Sequence, residues 1–349
     1  MRIEENRELA SLTTFGIGGP ARWYVEAETE ADVGDALGWA LEKGVPLFVL
    51  GGGSNLLVAD AGFQGLVLRI GLKGVRVRES INRGERFFEA AAGEDWDGFV
   101  QRSVEENCAG LECLAGIPGT VGGTPVQNVG AYGQEVASTI ARVRAYDVER
   151  NAIVTLSAVE CEFGYRRSRF NTVNRGRFII TAVEYRLLVD GRPAVHYADL
   201  QRAFAAGSSP SLPKVAEAVR RIRQAKGMLI VEGEPERRSA GSFFKNPIVS
   251  EEQATHVGRV AGEEPPRFPA GAEHPGLIKV SAAWLIERAG FSRGYTQERA
   301  GISSKHTLAL VNRGGASAAE VLALADRIRA GVLDRFAIEL QMEPVMLGF

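Results

Sequence analysis

GIPGTVGGTPVQNVGAYGQE, residues 116–135, is the stretch on which the reading of this chain turns. It holds glycine at Gly116, Gly119, Gly122, Gly123, Gly130 and Gly133. Glycine freezes more backbone freedom on folding than any other residue, so this density needs a return. The return is backbone that can approach a phosphate or a flat ring with no Cβ in the way. Pro118 and Pro125 fix φ and remove two donors, which gives the loop a definite shape. Thr120, Thr124, Gln127 and Asn128 add neutral hydrogen-bonding groups. A plain turn-rich connection would also be rich in glycine and proline. The added polar residues favour a ligand cradle, without naming the ligand.

Working outward, Leu47–Leu50 reads as a short buried strand that runs into GGGSNLL at residues 51–57, a second candidate cradle. It is no P-loop, because no Gly-Lys-Ser/Thr follows. It is no dinucleotide fingerprint either, because Leu56 stands where the third glycine belongs and LVADAGFQG lacks the pattern of a phosphate-capping helix. Before it, residues 21–27 read as a strand. Thr29 caps a helix with Glu30 and Asp32 in its first turn, and Gly44 and Pro46 end it. GLVLRI, VRVRE and RFFEAAA are β-rich runs, followed by a helix from Asp95 with Trp96, Phe99, Val100 and Val104 on one face.

Beyond the central loop, RVRAYDV, AIVTLS and RFIITAVEYRLLV alternate as strands of a sheet with one wetter face. Residues 212–226 form a basic helix whose Arg220, Arg221 and Arg223 read as a solvated face. KGMLIVEGEPERRSAGSFFKNP marks a composition shift and a domain boundary. Ser250 with Gln253, and Ser317 with Glu320, are capping boxes that open two further helices. SAAWLIERAG is a short amphipathic helix, HTLALVN a strand, and FAIELQMEPVMLGF closes the chain as strand-like sequence.

At 349 residues the chain has room for two or three domains with ample core. It is 45% hydrophobic and 24% charged with a net charge of -2, a balance that argues against a nucleic-acid partner. The charged amino terminus does not suit a signal peptide, and no apolar run reaches the length of a membrane span, so a cytoplasmic protein is expected. Cys108, Cys113 and Cys161 are odd in number and lack CxxC spacing; they read as free buried thiols. The four histidines show no metal-ligand spacing, so no metal is expected.

TTFGIGGPA from Thr13, LGGGSN from Leu50, the loop at 116–135, FGYRRSRF from Phe163, AGSFFKNP from Ala240 and a terminal glutamate form one ordered set. The set resembles the UDP-N-acetylenolpyruvoylglucosamine reductase (UDP-N-acetylmuramate dehydrogenase) family, in its longer form with a lid tyrosine, over nearly the whole chain. The resemblance implies an α+β fold: a two-part FAD-binding unit of the vanillyl-alcohol-oxidase type plus a carboxyl-terminal α+β substrate domain. The implied boundaries are 1–70 with the closing strand 336–349, then 71–228, then 229–335 for the substrate. It implies an NADPH-dependent flavoenzyme that reduces UDP-N-acetylglucosamine enolpyruvate to UDP-N-acetylmuramate for peptidoglycan synthesis. The expected partners are a sugar nucleotide and NADPH, with no nucleic acid and no membrane, and the expected state is a monomer.

On that resemblance Gly51, Gly52, Gly53, Ser54 and Asn55, with Gly119, Thr120, Gly122, Gly123 and Thr124, surround one non-covalently held FAD. Negative charge would build beside the substrate carboxylate after hydride transfer, which calls for a cation and one proton donor. Arg166 matches the cation, a planar fork suited to a carboxylate; alone it reads as a surface arginine beside Arg167 and Arg169. Ser242 matches the proton donor; alone it reads as a turn residue after Gly241. Glu343 matches the acidic partner, protonated or hydrogen-bond-positioning, with Glu339 as the competing assignment. Tyr197 resembles the lid tyrosine, against a reading as a half-buried packing residue. Tyr132, Lys226 and Asn246 match substrate contacts. The segment between Lys226 and Ser242 is longer than the family's usual one. Lys305 and His306 stand where glutamines are expected, which leaves the nucleotide contacts there unassigned.

Two other classes fit parts of the chain. A different flavin oxidase could use the same fold, yet such enzymes often attach flavin through His or Cys and neither cradle holds one. A silent nucleotide-sugar binder would need neither Ser242 nor Arg166.

Overall fold

The computed structural model describes residues 1–81, 84–205, 207–271 and 273–349. The chain opens with β1 (Glu4–Glu8), β2 (Pro20–Ala27), α1 (Glu30–Lys43), β3 (Leu47–Leu50), β4 (Leu56–Val58) and β5 (Phe63–Ile70). Its middle adds β6 (Val75–Glu79), β7 (Glu85–Ala91), α2 (Trp96–Glu105), β8 (Cys108–Ala109), β9 (Gly130–Ala131) and β10 (Gln134–Glu135). Then come β11 (Ile140–Asp147), β12 (Ala152–Ser157), β13 (Phe178–Val189), α3 (Ala198–Gln201) and α4 (Leu212–Ala225). The last third holds β14 (Ile248–Ser250), α5 (Glu251–Ala261), β15 (Arg267–Pro269), β16 (Leu277–Val280) and α6 (Ala282–Arg288). It ends with β17 (Thr296–Gln297), β18 (Ala300–Ile302), β19 (Leu310–Asn312), α7 (Ala318–Phe336) and β20 (Val345–Leu347). Helices and largely antiparallel sheets in one chain make the class α+β.

The chain divides into two compact units. The first comprises residues 1–7, 21–52 and 64–224. One of its sheets has the order β1-β2-β5-β3, with β3 and β5 parallel. α1 begins at the expected Thr29 cap, which the structure completes as a capping box with Asp32, and ends at Gly44 with φ 63°. The other sheet runs β12-β11-β13-β7-β6, antiparallel throughout, with β8 on the end of β13. Burial alternates along β11, where Val143 and Ala145 are buried and Arg142 and Arg144 exposed, so the expected wetter face is present. On the dry face Tyr185 sits opposite Phe88, and Phe99 and Trp96 of α2 pack on it at ring separations of 5.1 and 5.8 Å.

The second unit comprises residues 8–20, 53–63 and 225–349. It holds the sheets β14-β16-β15 and β17-β18-β19, and β20 pairs in parallel with β4, Met346 opposite Leu57. Both expected capping boxes form, at Ser250 and Ser317. Asp60 adds a cap no local pattern foretold, its carboxylate accepting from the N–H groups of Ala318 and Ala319 at 2.7 and 3.1 Å. α7 buries Val321, Leu324, Ile328, Val332 and Phe336 on one stripe.

Three expectations need correction. HTLALVN is a strand only over β19, because its first half closes a turn from the Ala309 N–H to the His306 carbonyl. Phe336 ends α7 instead of opening the closing strand, which is confined to β20. The supposedly solvated arginines of α4 are not one face: Arg223 is buried and Arg220 is tied to Asp97.

Candidate active site

In the first unit the two glycine cradles meet. A Cβ on Gly52 would lie 2.6 Å from the Gly119 Cα, and one on Gly51 would lie 3.0 Å from the Thr120 hydroxyl oxygen. Gly119 has φ 132°, open only to glycine, and its carbonyl accepts from the Trp96 N–H at 3.1 Å. The next N–H groups are consumed internally: Val121 donates to Glu94, Gly122 to Ala92, Gly123 to Thr120 and Thr124 to Val121. Gly122 is therefore glycine for packing, since its Cβ would stand 2.6 Å from the Ala92 Cβ. A Cβ on Gly123 would meet nothing within 4 Å. The Thr124 hydroxyl is spent in the core, donating to the Val121 carbonyl at 2.8 Å and pairing with the Tyr185 hydroxyl at 2.7 Å. Full burial raises the Tyr185 phenol above its ordinary value, so it keeps its proton.

Gly116, where the loop begins, is held at both backbone groups. Asp97 accepts from its N–H at 2.6 Å, and Arg223 Nε donates to its carbonyl at 3.0 Å. Arg220 braces Asp97 with two bonds, of 2.5 and 2.7 Å. The remaining loop folds into the hairpin β9–β10, which turns at Tyr132 (φ 50°) and Gly133 (φ 82°), the pair of left-handed residues a two-residue hairpin loop needs. Asn128 (φ 44°) and Arg166 (φ 53°) share that uncommon conformation. Buried Asn128 donates to Glu135 and to the Gly164 carbonyl at 3.1 and 3.0 Å and accepts from the Ala137 N–H, fixing the hairpin to the turn that carries Arg166.

Arg166 donates to the Gly130 carbonyl at 2.9 Å. Its neighbour Arg169 pairs instead with Glu162. Tyr132 hydrogen-bonds Arg223, whose pKa burial pulls below the ordinary arginine value. The Tyr132 ring meets that of Tyr197 edge-on at 5.6 Å and 88°. Arg166 and Tyr197 thus both contact the hairpin that carries Tyr132. Tyr197 is 36% exposed, with its ring packed against that of Tyr132.

In the second unit Ser242 follows Gly241 (φ 71°) and precedes the buried pair Phe243 and Phe244. The Phe243 N–H donates to the Leu308 carbonyl at 2.7 Å, and its carbonyl accepts from the Glu343 N–H at 2.9 Å. Asn55 joins the far side, donating to the Glu343 carbonyl at 3.3 Å and accepting from the Val345 N–H. Ser242, Glu343 and Asn55 are therefore neighbours by backbone pairing, whereas Glu339 is bound to Arg329 at the surface. Asn246 accepts from the Ala282 N–H at the start of α6, at 2.9 Å. Lys226 is half-buried in the turn after α4. Lys305 pairs with Glu234 at 2.6 Å, so the long segment before Ser242 is tied to the turn around Lys305. Burial would raise the Glu236 carboxyl, but Ser303, Ser304 and Arg313 outweigh it and hold it below the usual range.

A UDP-N-acetylenolpyruvoylglucosamine reductase from Streptomyces coelicolor is 46% identical over 350 residues, covering 97% of this chain and 89% of its own. This chain belongs to the UDP-N-acetylenolpyruvoylglucosamine reductase family. A relative of the same name from Thermobifida fusca is 44% identical, covering 98% of this chain and 97% of its own. Residues 21–157 match the family model described as FAD binding domain, and residues 234–347 the one described as the UDP-N-acetylenolpyruvoylglucosamine reductase C-terminal domain. The crystal structure of the reductase from Thermus caldophilus superposes with a TM-score of 0.66 at 27% identity, covering 99% of each chain.

The chain is an FAD-dependent oxidoreductase of that family, and its residues fit the cofactor. Among the described residues, the N–H groups of Gly52, Gly53 and Ser54 donate to no protein acceptor, which leaves them for a pyrophosphate. A Cβ on Gly53 would lie 1.9 Å from the Leu12 carbonyl oxygen, so that backbone is fixed in place. Neither cradle contains the Cys or His that a covalent flavin would need.

Proposed function

We propose that this reductase converts UDP-N-acetylglucosamine enolpyruvate to UDP-N-acetylmuramate with NADPH as electron donor, in peptidoglycan precursor synthesis. The observation that carries this reading is 46% identity to a reductase of that name over nearly the full chain. FAD, when bound, supplies the hydride chemistry. The protein supplies binding, charge and a proton.

Gly51, Gly52, Gly53, Ser54 and Asn55, with Gly119, Thr120 and Gly123, hold the cofactor; Gly122 and Thr124 support it by packing. The Arg166 guanidinium takes the substrate carboxylate as a fork, and Gly130 already orients it. The Ser242 hydroxyl gives its proton to the carbon next to that carboxylate as charge builds there. Glu343, whose N–H is bonded to the Phe243 carbonyl beside Ser242, positions that transfer by hydrogen bonding. Lys226 and Asn246 contact the sugar nucleotide, and Tyr132 and Tyr197 close over it.

A first FAD-binding part at residues 1–70 with 336–349, a second at 71–228 and a substrate domain at 229–335 are the corresponding functional divisions. The parallel pairing of β20 with β4 supports the return of the closing strand to the first. The enzyme works as a cytoplasmic monomer without nucleic acid or membrane. Its net charge of -2 supports the absence of a nucleic-acid partner, and among the described residues no helix is long and apolar enough to cross a membrane.

Purified protein is expected to be yellow, and to consume NADPH beyond one equivalent per flavin only when the enolpyruvyl sugar nucleotide is added. Failure of that substrate to draw NADPH consumption from flavin-loaded protein would refute the assignment. Tyr197→Phe is expected to weaken sugar-nucleotide binding while the rate of flavin reduction by NADPH stays normal, because a lid residue adds closure and not chemistry. Stopped-flow traces of the two half-reactions check this. Equal damage to both would make Tyr197 a structural residue.

A further inference from the structure

Residues 191–196, which lead into Tyr197, adopt no regular secondary structure, so their backbone groups need partners from elsewhere. Ala194 has both of its groups met. Its N–H donates to Glu112 Oε1 at 2.9 Å, and its carbonyl accepts from the Cys113 thiol at 3.0 Å. Burial, with the charge of Glu112 beside it, pushes that thiol up to about 12, so it keeps the proton it donates.

Glu112 is 1% exposed. No cation pairs with it among the described residues, and donors meet both of its oxygens. Oε2 accepts from the Gly110 N–H at 2.8 Å, and Oε1 accepts from Gln134 Nε2 at 3.2 Å as well as from Ala194. Gln134 in turn accepts from the Cys113 N–H at 2.9 Å, and it sits opposite Ala131 in the hairpin that turns at Tyr132. One buried carboxylate therefore joins the segment before Tyr197 to the hairpin of Tyr132, and the two rings, Tyr197 three residues after Ala194 and Tyr132 two before Gln134, meet edge-on. An uncharged replacement cannot do the same. A glutamine there would turn an NH₂ toward an N–H on one side or the other and leave a buried donor unmet.

We propose that Glu112 is a positioning residue for Tyr197, setting the lid segment against the Tyr132 hairpin and so tuning the affinity for the sugar nucleotide. The proposal rests on the reading of Tyr197 as a residue that closes over that ligand. Glu112 itself lies among backbone groups and touches no reacting atom.

The test is a double-mutant cycle on oxidised, FAD-loaded enzyme, where the enolpyruvyl sugar nucleotide binds without turnover and its Kd is read from the perturbed flavin absorbance. Glu112→Gln is expected to raise Kd by about tenfold, the scale of one lost hydrogen bond to a charged group. FAD content and the rate of flavin reduction by NADPH stay at wild-type values. Tyr197→Ala raises Kd as well, and the double variant binds no worse than Tyr197→Ala alone, because one residue acts through the other. Hydrogen exchange at the Ala194 amide quickens in Glu112→Gln while that of the β11–β13 ladder does not. Multiplicative losses in the double variant, or wild-type affinity in Glu112→Gln, overturn the proposal. Wild-type affinity in Tyr197→Ala instead overturns the lid reading beneath it. Should Glu112→Gln fail to fold, Glu112→Asp, which keeps the charge but cannot span all three donors, goes through the same cycle with the same expected outcome.

Discussion

Ser242→Ala is expected to fold, retain FAD and accept electrons from NADPH at the wild-type rate, yet pass them to the enolpyruvyl sugar nucleotide roughly 10²–10⁴-fold more slowly, the usual scale for losing a positioned acid. The fold survives because the anchors lie to either side of the serine. Gly241 keeps its left-handed φ of 71°, Phe243 and Phe244 stay buried, and the Phe243 backbone stays bonded to Leu308 and Glu343. Only a half-exposed hydroxyl is removed. Flavin reduction needs no proton from serine, so the first half-reaction is a control within the same protein. In D₂O with unlabelled NADPH, one deuterium is expected at the carbon bearing the carboxylate. Ser242→Cys, a weaker donor that still holds a proton, recovers part of the loss. A Ser242→Ala variant that reoxidises normally with substrate would reduce Ser242 to a turn residue.

What the sequence made legible was local. The caps at Thr29, Asp95, Ser250 and Ser317 bond to N–H groups three residues away, and the same short pattern that suggests them also forms them. Positions carried over by the resemblance, such as Arg166 and Ser242, were legible as members of ordered motifs. Illegible were the residues whose partners lie far along the chain: Arg223 on Gly116 at a separation of 107 residues, Glu112 on Ala194 at 82, Asp60 on Ala318 at 258. Arg223 looked like a solvated charge because helical periodicity cannot tell an arginine facing water from one facing a loop carbonyl. Asn128 counted as one polar residue in the cradle, yet its three hydrogen bonds make it the joint between the hairpin and the Arg166 turn. Thr124 carried the opposite lesson, a hydroxyl in a glycine loop that serves Tyr185 and the core.

The glycines themselves divide by what a side chain would strike, and Gly52→Val and Gly123→Val are expected to fail in different ways. At Gly52 a Cβ would stand 2.6 Å from the Gly119 Cα, 2.9 Å from its carbonyl carbon and 3.1 Å from the Thr120 nitrogen, all backbone. That backbone cannot retreat, because Gly119 holds φ 132° and its carbonyl is bonded to the N–H of Trp96, a residue 1% exposed. Gly52→Val should therefore cost more than the roughly 1–3 kcal/mol of an ordinary overpacked core and give protein that melts early and emerges colourless. At Gly123 a Cβ meets no heavy atom within 4 Å, and φ is not in the left-handed region. If Gly123 lines the cofactor as proposed, Gly123→Val should leave the melting temperature of the apoprotein unchanged and weaken FAD at least about tenfold, because a side chain there meets no protein atom. Thermal melts of the apoproteins and FAD titrations by fluorescence quenching separate the two. A Gly123→Val protein that binds FAD like the wild type would remove Gly123 from the cradle, and a stable yellow Gly52→Val would mean that the two loops do not need to approach as closely as they do.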